Sequence, residues 1–130
     1  MTRRTEPEVF ARALAFYNEK QYRQALEMLT DFHTTDPMYR RQCFEWRISM
    51  AALMGDLDLA EDIFSASLDE GFFLSEYSLR RDDDLSTLQG RLRYEQLVAK
   101  NMQLMAQAQA NARAELLLVE PPVQAAAKAP

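Results

Sequence analysis

The stretch Glu19–Phe32, EKQYRQALEMLTDF, aligns without a gap on Met54–Ser67, MGDLDLAEDIFSAS. Tyr22 falls on Leu57, Ala25 on Ala60 and Leu29 on Phe64, all at one constant offset. Each copy begins in a polar turn and continues with apolar residues at helical spacing. The small alanine lets paired helices approach closely, and the large residue one turn later fills the gap between layers. A repeated helix of this kind, preceded each time by another periodic segment, predicts stacked helical hairpins.

Working outward, the first helix opens at Thr5-Glu6-Pro7-Glu8. Thr5 as N-cap with Glu8 three residues on is a capping box, and a proline in the first turn loses no helical hydrogen bond. Val9, Phe10, Ala13, Leu14, Phe16 and Tyr17 then form one broad apolar face, closed by the polar break Asn18–Gln21. The second helix carries Tyr22, Ala25, Leu26, Met28, Leu29 and Phe32, and Asp36-Pro37 is expected to end it, since the residue before proline leaves the α region. The third, with Phe44, Trp46, Ile48, Ala51, Ala52 and Leu53, stops near Gly55-Asp56; the fourth, with Leu57, Ala60, Ile63, Phe64 and Leu68, stops at Gly71. Only three glycines occur, fewer than tight turns between strands would need.

Residues 6–37 resemble a tetratricopeptide repeat in the order Ala13, Phe16, Tyr22, Ala25, Leu29 and Pro37. The usual early Trp is Val9 here and the usual Leu is Arg12. Residues 41–72 resemble a weaker second copy through Phe44, Gly55, Leu57, Ala60 and Phe64, with Phe72 in place of the closing proline. Two such units leave an apolar face open, and about three are normally needed for stability. The segment after Gly71, GFFLSEYSLRRDDDLSTLQGRLRYEQLVAK, is therefore expected to cover the second hairpin. It predicts a helix from about Gly90 to Ala112 with a stripe of Leu92, Tyr94, Leu97, Val98, Met102 and Met105. Its Asp84-Leu85-Ser86-Thr87-Leu88 and Tyr94-Glu95-Gln96-Leu97 resemble the terminal segment that follows degenerate tetratricopeptide repeats.

Beyond it, AQAQANARAE extends the helix. Leu116–Val119 read as strand-like, either packed loosely on the bundle or belonging to a sheet outside this chain, and Pro121-Pro122 with VQAAAKAP are low-complexity. The expected division is a helical domain over 1–112 and an Ala/Pro-rich, partly disordered tail over 113–130. The succession Leu88-Gln89-Gly90, Tyr94 to Leu97-Val98, then Ala106 to Pro121 is similar to the junction leading into the first strand of some bacterial α/β-hydrolase proteins. That resemblance implies an N-terminal region with a covalent continuation into a hydrolase domain. No nucleophile of such a domain lies within these residues.

The 130 residues are 48% hydrophobic, enough for one core, and a net charge of −5 without a basic stripe excludes electrostatic nucleic-acid binding. No apolar run has the length of a signal peptide or a membrane span, and the lone Cys43 cannot form an internal disulfide. The sequence thus reads as cytoplasmic, with no membrane or nucleic-acid partner. It contains no Gly-x-Ser-x-Gly elbow, no His-Glu-x-x-His helix and no phosphate-binding glycine loop, and its single histidine is His33. The run Asp82-Asp83-Asp84 invites a calcium reading. Counted from Asp82, however, the sixth residue is Thr87 instead of glycine and the twelfth is Arg93 instead of glutamate. Arg80 and Arg81 beside the acids favour ionised forms, so one aspartate is expected to cap a short helix through Leu85 and Leu88 while the others are solvated or paired with arginine.

The expected fold is all-α: two tetratricopeptide-like hairpins plus a C-terminal capping helix, a short α-α superhelix. No catalytic residue, metal site or cofactor is assigned. The repeat register places Phe10, Leu14, Tyr17 and Asn18, then Glu45, Ser49 and Leu53, along a groove for a protein or peptide partner, with aromatic anchors. The expected function is a non-catalytic binding module; the alternative is the accessory region of an α/β-hydrolase, positioning substrate or partner.

Overall fold

The computed structural model describes residues 5–128, and side-chain surroundings as far as Leu117. Among the described residues the chain forms α1 (Glu6–Asn18), α2 (Tyr22–Asp31), α3 (Pro37–Leu53), α4 (Leu57–Asp69), α5 (Glu76–Arg81), a three-ten helix (Asp83–Leu88) and α6 (Leu92–Lys128). The all-α expectation of two hairpins and a C-terminal helix holds.

Thr5 Oγ1 accepts the Glu8 N–H at 3.4 Å and so caps α1. Asp36-Pro37, expected to close the second helix, opens the third instead. The Asp36 carboxylate accepts the N–H groups of Met38 and Tyr39 at 2.9 and 3.4 Å, and Pro37 supplies a preset φ where no donor is needed. The chain between Asp31 and Pro37 is a true connection, in which Thr34 Oγ1 donates to Glu6 at the start of α1.

Three helices end in the same way. The N–H three residues past the helix end reaches back five residues, and the N–H before it reaches back three: Gln21 to Phe16 and Lys20 to Tyr17, Asp56 to Ala51 and Gly55 to Ala52, Phe72 to Ser67 and Gly71 to Leu68. This cap needs a left-handed residue, met by Gly55 at φ 80° and Gly71 at φ 82° but by a lysine, Lys20 at φ 60°, in the first hairpin. The aligned copies thus share a backbone device as well as an apolar pattern.

α1 pairs with α2, α2 with α3, and α3 with α4. Ala25 and Ala60 are fully buried at the helix contacts, with Leu29 and Phe64 beside them in the core. The segment after Gly71 does cover the second hairpin: α6 packs on α4 and α5, and the three-ten helix packs on α3 and α5. The Tyr94 ring lies tilted against Phe64, centroids 5.9 Å apart, while Leu97 and Val98 complete the apolar seam. Leu116–Val119 lie within α6 and are not a strand. A helix satisfies its backbone polar groups locally, whereas a strand needs a partner that the described residues do not contain. No helix among them is long and apolar enough to cross a membrane.

Candidate functional site

The faces of α1 and α3 assigned to partner binding are crossed by the Asp82–Leu88 connector. Leu85 and Leu88 are its anchors, 2% and 0% exposed. Asp82 caps the three-ten helix by accepting the Asp84 N–H at 3.0 Å. Gln89 fastens the other end, donating to the carbonyls of Leu79 and Leu85 at 2.7 and 3.2 Å, and the Tyr94 hydroxyl donates to Leu79 at 2.6 Å. Across the groove, the Tyr17 hydroxyl donates to the Asp84 carboxylate, 3.0 Å from each oxygen. The expected arginine pairing goes elsewhere: Arg80 grips Glu95 through two 2.7 Å hydrogen bonds, and Asp84 takes a tyrosine.

This arrangement sorts the seven groove positions. Phe10 is buried, 5.0 Å edge-on from Trp46 and 5.6 Å from Tyr39 in a stack, so it is a core residue and not an open anchor. Leu53 is half-buried against the core, and Asn18 is exposed outside the cavity. Leu14, Tyr17, Glu45 and Ser49 do come together, around a cavity of about 170 Å³. Trp46, Met50, Asp82 and Asp84 complete its lining. Trp46 and Met50 were legible as neighbours of Glu45 and Ser49 on one helix face. The aspartates were not, because only the fold of the connector brings Asp84 to a tyrosine 67 positions earlier.

The cavity is acidic. Burial, then the hydrogen bond to Asp84 and its charge, push the Tyr17 phenol up to about 12. Burial also pushes the Asp84 carboxyl up; the Tyr17 hydrogen bond opposes this, while the charges of Asp82 and Asp83 add to it. Among the described residues no lysine or arginine lines the cavity.

A second cavity, also about 170 Å³, lies between the end of α2 and α3 and includes His33, Cys43 and Arg47. His33 is exposed and Cys43 is buried. Burial pushes the Cys43 thiol up despite Arg47 and Arg40 nearby, the wrong direction for a nucleophilic thiolate. Arg40 is held by Glu70, and Arg47 Nε finds no hydrogen-bond partner among the described residues. Among those residues no group of three or more His, Cys, Asp or Glu side chains could hold a metal ion.

Comparison with known proteins gives one family: the model of the A/B hydrolase-like, N-terminal domain matches residues 5–112. No curated protein and no solved structure matches the chain.

Proposed function

The chain belongs to the A/B hydrolase-like, N-terminal domain family, and on that premise we propose that it is the non-catalytic accessory region of an α/β-hydrolase. In this reading it positions a substrate or partner while a hydrolase domain carries out the chemistry. The family match over 5–112 is the observation that carries the proposal. Two features support it. Burial pushes the Cys43 thiol away from the thiolate form, and the residues of α6 from Ala106 to Leu117 are exposed, so the helix leaves the body of the bundle as a ready connection. With its lone unpaired cysteine, the module is assigned to the cytoplasm.

Purified chain should show no turnover on a panel of p-nitrophenyl esters, and it should bind the α/β-hydrolase domain encoded with it, covalently attached or separate. Reproducible turnover abolished by His33→Ala would sink the proposal.

A second reading, a free-standing tetratricopeptide-like module for protein or peptide binding, is favoured by one observation: two hairpins share both the Tyr/Leu-Ala-Leu/Phe pattern and the same helix-ending cap. In that case the chain would hold a non-hydrolase partner and leave hydrolase kinetics unchanged.

A further inference from the structure

The connector does not close the α1/α3 groove completely. What remains is an open cavity of about 170 Å³, room for one side-chain head group and far too small for a whole peptide. Its polar contents are one-sided. Glu45 forms no ion pair with a described residue, Asp82 and Asp84 join it in the lining from the connector, and among the described residues no arginine or lysine lines the cavity, Arg80 being held by Glu95. Ser49 is 7% exposed, yet its hydroxyl makes no hydrogen bond to a described residue and lies on the cavity wall. The rest of the wall is apolar: Leu14, Met50 and the indole of Trp46.

Carboxylates around an indole select a cation that is flat and only weakly hydrated, because the ring face attracts positive charge and the apolar wall penalises a strongly hydrated ion. A bare divalent ion is disfavoured, since no group of three or more metal-ligating side chains exists among the described residues and the apolar wall cannot replace its hydration shell. A guanidinium meets every condition: it stacks on Trp46, forks between carboxylates, and can also donate to the Ser49 oxygen.

We propose that this cavity is a recognition pocket for one arginine side chain of a partner polypeptide segment, held between Trp46 and the carboxylates of Glu45 and Asp84. The pocket names the chemistry of the partner in the accessory reading and rests on that reading for its biological role. Its binding test is independent of any hydrolase, so the two can fail separately.

Trp46 is the only tryptophan, which makes its fluorescence a local reporter. The experiment titrates the chain with acetyl-Gly-Arg-Gly-amide, with the uncharged citrulline counterpart, and with methylguanidinium. The arginine peptide should give a saturable Trp46 change that weakens with added salt, the citrulline peptide none, and methylguanidinium a weaker change with the same end point. Glu45→Gln and Asp84→Asn should each weaken the arginine peptide about tenfold, as loss of a charged hydrogen-bond partner requires. Both substitutions are expected to keep the fold: Glu45 pairs with no described residue, and asparagine still accepts from Tyr17. An equal response to citrulline, unchanged affinity in both variants, or no saturable change at millimolar peptide overturns the proposal. So does methylguanidinium binding as tightly as the peptide, which would make this a small-cation site.

Discussion

Asn101 is fully buried on α6, where its amide reads the backbone of Leu74 in both directions, accepting the N–H and donating to the carbonyl at 2.9 Å each. The side chain acts as a single rung of sheet, holding the chain after Gly71 against the capping helix. Asn101→Ala should cost about 2–4 kcal/mol in chemical denaturation, since two buried backbone groups lose their partners together. Lys20 offers the opposite change. It holds a left-handed conformation that a side chain resists, at the position where the second hairpin has Gly55. Lys20→Gly should therefore raise stability by about 0.5–1 kcal/mol, read as a higher melting temperature. Tyr94 and Tyr17 titrate late. Burial pushes both phenols up to about 12, with the Tyr17 shift reinforced by Asp84. A folded pKa above the unfolded one means that the stability they contribute is fully present below pH 10 and is lost as pH rises towards about 12. Phenolate absorbance should show two of the five tyrosines ionising only as the chain unfolds; five titrating together in the folded chain would contradict these environments.

Between elements, the contact of α4 with α6 turns on a buried acid. Glu61 is 1% exposed, and Arg91, just before α6, reaches it through Nε at 3.0 Å and Nη2 at 3.1 Å, with Asp58 at 2.8 Å on the outside. Arg91→Met leaves a buried carboxylate without its cation and should lower the denaturation midpoint, though less than breaking a wholly buried pair because Arg91 is partly exposed. The double variant Arg91→Met/Glu61→Gln should recover part of that loss, and failure to do so in a double-mutant cycle would show that the pair is not coupled. The helices and the need for a cap were legible because apolar period and turn chemistry are local: Ala25, Ala60, Gly55 and Gly71 say where helices touch and stop. Glu61 and Asn101 were not, because nothing local marks a polar residue on an amphipathic helix as buried; only its distant partner does. Asp36-Pro37 misled for a related reason. The same pair that forbids a helix before it begins the next one, and the register of α3 decides which role counts.

For the whole molecule, the same division separates fold from site. Leu14, Tyr17, Glu45 and Ser49 were placed on one face from repeat register alone, and they do meet, but as the wall of a roofed cavity and not as an open peptide groove. The roof is the acidic connector, whose Asp84 crosses to Tyr17 and whose Leu85 and Leu88 are buried where it packs on α3 and α5. Phe10, expected as an anchor, is used up in packing Tyr39 and Trp46. A bundle closed in this way, with its long last helix leading away, is compatible with the accessory role proposed above. The most direct measurement is kcat/KM of the α/β-hydrolase domain that the accessory proposal pairs with this chain, with and without residues 5–112, on the same ester. The accessory account expects the isolated chain to be inactive and the hydrolase to lose efficiency mainly through a raised KM when the module is absent. Identical kinetics with and without it, or turnover by the module alone, would contradict the account.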